Sequence, residues 1–227
     1  MPTTVIDGIA TRYEVIGSGP PLLMFAPAGF DASMDKWRTT GVYTRIKPLD
    51  HLPAKYSCII FDRRETGQSG GRIERITWAH YVAQGKGLLD HLGHKRAHLM
   101  GGCMGCSPVM AFGVMHPEMV QSMVLYWPVG GAKYRISTHQ RFVQHLAYVN
   151  SVRDTSPGAE PEDLMRLDIP ALVVPGRDAS HATSAARYVE ECLPKSEYWD
   201  VPPAEQTEAT APARILKFLD GIEEAAH

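Results

Sequence analysis

The chain has no apolar run approaching the roughly 20 residues of a membrane span. Its first residues, Met-Pro-Thr-Thr-Val-Ile-Asp, show no basic segment followed by an apolar one, so no signal peptide is expected. Cysteine is sparse: Cys58, Cys103, Cys106 and Cys192 lie scattered over 227 residues, at neither disulfide-framework nor zinc-site spacings. That scatter fits a reducing compartment, and a cytoplasmic location with no metal is expected. A net charge of −2 leaves no basic footprint, so neither nucleic acid nor a membrane surface is an expected partner. The remaining composition, 44% hydrophobic and 21% charged, is that of an ordinary globular chain. The length suits one domain, 1–227, with a single large core.

Apolar patterning supplies the elements. Thr4 to Asp7 and Ala10 to Ile16 read as a hairpin turning at Gly8. Pro21 to Ala26 is a continuous apolar run, as a strand covered on both faces requires; Tyr56 to Asp62 reads as a second buried strand, Met119 to Trp127 as another, and Ala171 to Gly176 as a further apolar one. Between them lie helical patterns, one opening at the N-cap candidate Thr77 and ending at Gly93, another from about Thr183 to Leu193. Ser196 to Val201 reads as a last strand and Ala211 to Leu219 as a closing helix. Alternating strand and helix predicts an α/β fold with a doubly wound, mostly parallel sheet.

One stretch carries the chemistry: His98-Leu99-Met100-Gly101-Gly102-Cys103-Met104-Gly105-Cys106, leading directly into a helix that ends at His116-Pro117. A cysteine flanked by glycines at a strand-to-helix junction sits where a tight turn needs space and where the helix dipole favours a thiolate. Two blander readings accompany it. Cys103 and Cys106 form a C-x-x-C that can act as a redox pair, and the turn can persist without any chemistry.

Gly101 to Gly105 resembles the nucleophile elbow G-x-S-x-G of the alpha/beta-hydrolase superfamily, with cysteine in place of serine. Asp62-Arg63-Arg64-Glu65-Thr66-Gly67-Gln68-Ser69 resembles that superfamily's D-x-R-G-x-G-x-S loop, mainly a scaffold, and Gly176-Arg177-Asp178 its Gly-x-Asp acid. The resemblance implies that Cys103 attacks, Asp178 orients the base, and backbone N–H groups of Met104 and Ala28 hold the oxyanion. Gly29, Phe30, Trp127 and His139 would line the pocket, His139 within a small lid insertion at about 129–168.

The pattern breaks after the last strand, where the superfamily places its general-base histidine. Here the run is Val201-Pro202-Pro203-Ala204-Glu205-Gln206-Thr207, and the next histidine is His227. Cysteine depends on a base less than serine does, so the two departures belong together. Three arrangements follow: His181 serves as base from the acid's own loop, Glu205 serves instead, or no base exists. The first implies a cofactor-independent cysteine hydrolase of a small ester, thioester or lactone, its partner a small carbonyl substrate and its assembly open to a homo-oligomer. The alternative enzyme is a lyase or isomerase using Cys103 with Glu205 or His181, and the third arrangement implies a protein that binds a ligand or has lost activity. Dienelactone hydrolases also carry cysteine on this fold, a resemblance limited to the elbow and overall size.

Overall fold

The computed structural model describes residues 2–29, 31–130 and 158–225. Eight strands form one sheet: β1 Thr3–Ile6, β2 Ile9–Ile16, β3 Pro21–Phe25, β4 Ser57–Phe61, β5 Ala97–Gly102, β6 Val120–Tyr126, β7 Ala171–Val174 and β8 Ser196–Tyr198. Their order is β1-β2-β4-β3-β5-β6-β7-β8. The β1–β2 hairpin is antiparallel, as is β2 against β4, and every pairing from β4 to β8 is parallel. The four long helices among the described residues are α1 Trp78–His91, α2 Cys106–Met115, α3 Thr183–Cys192 and α4 Ala211–Ala225. Among the same residues, no helix is long and apolar enough to cross a membrane.

Continuous apolar strands mean that successive side chains serve opposite faces. Leu23 and Phe25 join Ile59, Phe61 and Leu99 beneath α1, α2 and α3, whose Val82, Phe112 and Val189 are also buried there. Leu22 and Met24 join Ile60, Met100 and Val124 on the other face, under Ile215 and Leu219 of α4. That second face is completed by three one-turn helices, Lys36–Thr39, Tyr43–Ile46 and Pro48–His51, which bury Trp37, Tyr43 and Ile46. The sequence pattern had not marked these turns. The closing helix also runs beyond the expected Leu219 to Ala225, and the last strand stops at Tyr198 rather than Val201.

Local chemistry fixes the ends of the elements. Thr77 caps α1 in a reciprocal pair with His80, whose Nδ1 accepts the Thr77 N–H at 2.9 Å. The Asp62 carboxylate is buried and accepts the N–H groups of Met34 at 2.9 Å and Gln68 at 2.8 Å, tying two loops to the end of β4. The lid helix expected near His139 lies outside the described residues. From Gly158 the chain packs against α2, and Leu164 and Leu167 enter the core.

At the elbow the packing is backbone on backbone. A Cβ on Gly105 would stand 2.2 Å from the Phe25 carbonyl oxygen, and one on Gly101 would stand 2.4 Å from the Gly105 carbonyl oxygen. Gly105→Ala should therefore cost about 1–3 kcal/mol of folding stability as an overpacked site. Urea unfolding measures this, and an unchanged midpoint would show that β3 and the elbow have room to separate.

Candidate active site

The left-handed backbone of Cys103 (φ 51°) lifts its side chain clear of β5 at the sheet's carboxyl end. Cys103 remains only 9% exposed, packed with Met104, Val129 and Trp78. Its Sγ lies 3.1 Å from Nε2 of His181. Nδ1 of the same ring lies 2.9 Å from each Asp178 carboxylate oxygen. A carboxylate can only accept, so Nδ1 carries a proton and Nε2 is left to take the one from Cys103.

His181 reaches Cys103 because its loop is folded locally and then pinned. Oδ1 of Asp178 accepts the backbone N–H of Ser180 at 2.8 Å and of His181 at 2.9 Å, curling the chain after β7. A parallel bridge joins Gly130 and His181: Gly130 N–H donates to the Ser180 carbonyl and Ala182 N–H to the Gly130 carbonyl, each at 3.0 Å. Space for the ring comes from Gly176, where a Cβ would stand 2.5 Å from His181 Cβ and 3.1 Å from the Trp127 ring. The indole of Trp127 backs the imidazole at a centroid distance of 5.4 Å.

Burial works against charge on His181, but its contacts with Cys103 and then Asp178 outweigh that penalty and raise its pKa. Burial likewise pushes the Asp178 carboxyl up, and the hydrogen bonds from His181 and Ser180 bring it below the ordinary carboxylate value. Cys106 is a different kind of thiol. Fully buried, it donates to the Gly101 carbonyl at 3.2 Å, and burial raises its pKa well above the ordinary range. Both cysteines are free.

Of the sequence candidates, Cys103, His181 and Asp178 come together, and Trp127 joins them as a brace. Met104 follows Cys103 at the first turn, where a helical N–H has no partner within the helix. Ala28 has a left-handed φ of 83°, and its N–H meets no acceptor among the described residues. Phe30 and His139 lie outside the described residues. Glu205, the other candidate base, is exposed on a 3-10 turn, and it is His181 that contacts Cys103.

Gln206, beside Glu205, is buried in a hydrogen-bond knot. Its Oε1 accepts from Tyr126 Oη at 2.8 Å and Trp127 Nε1 at 2.7 Å, while its Nε2 donates to the carbonyls of Pro175 and Val201 at 3.1 Å each. Sequence reasoning missed this role, and it missed Arg63. Arg63 is buried with its guanidinium 4.5 Å from the centre of the Tyr81 ring, and it donates to the Gly29 carbonyl. An arginine pair directly after a buried strand was the available signal.

With this geometry in place, the chain can be set beside known proteins. A family profile described as alpha/beta hydrolase fold matches residues 21–133. The 2-hydroxy-6-oxo-6-phenylhexa-2,4-dienoate hydrolase of a Rhodococcus strain superposes with a TM-score of 0.76 at 17% identity, covering 96% of this chain and 97% of that one. The chain has the alpha/beta-hydrolase fold. In sequence it is 27% identical over 155 residues to the dihydrolipoyllysine-residue acetyltransferase component of the acetoin cleaving system of Cupriavidus necator, covering 68% of this chain and 38% of that protein. It is 33% identical over 87 residues to a 2-hydroxy-6-oxononadienedioate/2-hydroxy-6-oxononatrienedioate hydrolase of Pseudomonas sp, covering 38% of this chain and 30% of that one. The chain thus spans well under half the length of either curated relative.

Two outcomes follow from the electrostatics and the knot. A raised His181 pKa means that the stability owed to its charge is complete below the ordinary histidine value of 6.5 and fades as pH rises through the raised value. Asp178→Asn removes part of what raises it, so the titration of the His181 ring followed by NMR should move to lower pH. Gln206→Leu strands the buried Tyr126 and Trp127 donors and should cost about 2–4 kcal/mol, read by urea unfolding.

Proposed function

We propose that the chain is a cofactor-independent hydrolase in which Cys103 attacks an activated carbonyl. The observation that carries this reading is the 3.1 Å contact between Cys103 Sγ and His181 Nε2, with Nδ1 held by Asp178. His181 takes the thiol proton as sulfur attacks, and the N–H groups of Met104 and Ala28 face the developing oxyanion. The imidazolium then returns the proton to the leaving group, giving an acyl-thioester on Cys103. Water, deprotonated by His181, releases the acid and restores the thiol.

Sulfur narrows the substrate. A tetrahedral intermediate expels its better leaving group, and a thiolate leaves more readily than an alkoxide. Turnover therefore favours thioesters, aryl esters and enol lactones over simple alkyl esters. Hydrolysis of a 2-hydroxy-6-oxo dienoate, the activity for which similar proteins are named, is a second reading supported by the 33% identity over 87 residues.

On an aryl thioester, Cys103→Ala and His181→Ala should each lower kcat/KM by about a thousandfold or more. Glu205→Gln should leave it unchanged. Stopped assays with phenyl thioacetate, beside a 2-hydroxy-6-oxo dienoate, separate the two substrate readings. Equal rates for wild type and Cys103→Ala on both would remove Cys103 as the nucleophile, and rates no faster than without enzyme would leave a binding protein.

A further inference from the structure

The tandem arginines after β4 have different surroundings. Arg64 is buried with a carboxylate partner, Glu74, and its backbone N–H donates to Gln84 at 2.8 Å. Arg63 is buried too, only 5% exposed, but among the described residues it meets no carboxylate. Its Nη2 donates to the Gly29 carbonyl, its guanidinium lies over the Tyr81 ring, and its Nε has no acceptor. A desolvated cation without a counter-ion is costly, several kcal/mol even after the surroundings relax.

The location narrows what that charge can serve. Gly29 follows Ala28 in the loop after β3, on the side of the sheet's carboxyl end where Cys103 stands. Burial lowers the Arg63 pKa, and Tyr81 and Cys103, both near enough to act on its charge, work the other way. An arginine fork with open donors beside a nucleophile matches one chemical group above others, a planar carboxylate.

We propose that Arg63 is the recognition residue for a carboxylate on the substrate, so that the enzyme acts on an activated ester or thioester whose acyl part carries an acid. This deepens the hydrolase reading and rests on it for the reaction, though not for the binding. Arg63 would hold the acid while Cys103 reaches the carbonyl, and its unmatched charge would disfavour uncharged analogues of the same shape.

The test uses probes that read the charge without turnover. Cys103 in the full chain is alkylated with iodoacetate and iodoacetamide, and with 3-bromopropionate and 3-bromopropionamide, each pair differing in charge. The expected result is an acid-to-amide rate ratio about tenfold above that of free cysteine for at least one pair, lost in Arg63→Met and partly kept in Arg63→Lys. A ratio equal to that of free cysteine for both pairs, or one that Arg63→Met leaves unmoved, overturns the proposal. If Arg63→Met lowers both members of a pair equally, Arg63 acts on the thiolate alone and the proposal also fails. Should Arg63→Met not fold, protection of wild-type Cys103 from iodoacetamide by succinate but not by succinamide supports the proposal, and equal protection or none overturns it. Phenyl thioacetate and the monophenyl thioester of succinic acid, assayed alongside, keep the two readings apart. An acid preference in alkylation without turnover of either ester rejects the hydrolase and keeps the carboxylate site; equal turnover of both without that preference does the reverse.

Discussion

Everything at the candidate site depends on one contact without side chains, the approach of Gly105 to the carbonyl end of β3. Because the first turn after Cys103 rests directly on the Phe25 carbonyl, Cys103 and the loop carrying Ala28 and Gly29 are placed by the same backbone surface. The strained φ of Cys103 is sustained by that packing, since a looser junction would let the residue relax. Arg63 adds a further tie by donating to the Gly29 carbonyl.

The histidine expected after the last strand is replaced by glutamine, and the structure shows what the glutamine does. A buried amide offers two donors and two acceptor lone pairs, and Gln206 uses all four on Tyr126, Trp127, Pro175 and Val201. It thereby braces the indole that backs His181. Gln206, in the run where that histidine was expected, serves as support, and the ring at Cys103 comes from the preceding βα loop.

The parallel strands were legible because a strand covered on both faces is largely apolar: β3 and β7 are apolar throughout, β4 but for Ser57, and β6 but for Gln121 and Ser122. The elbow was legible because only glycine fits at Gly101 and Gly105. His181 could be named, but not chosen over Glu205, since the choice turns on a bridge to Gly130, far away in sequence. The turns from Lys36 to His51 escaped notice because each is a single turn, too short to show a helical period, and held by tertiary burial of Trp37, Tyr43 and Ile46. Arg63 and Arg64 are the same letter twice, and tertiary placement separates them: Glu74 and Asp7 beside Arg64, the Gly29 carbonyl and the Tyr81 ring beside Arg63.

The Asp178 loop has a consequence for how the site assembles. Asp178 and His181 are three residues apart, and the same carboxylate that binds the ring also binds the backbone N–H groups of Ser180 and His181. Closing so small a loop costs little chain entropy compared with bringing a histidine from a separate strand end. The pair therefore behaves as one prefabricated part, whose internal geometry is a local property of residues 178 to 181. Only its docking on Gly130 is left for the rest of the fold to determine.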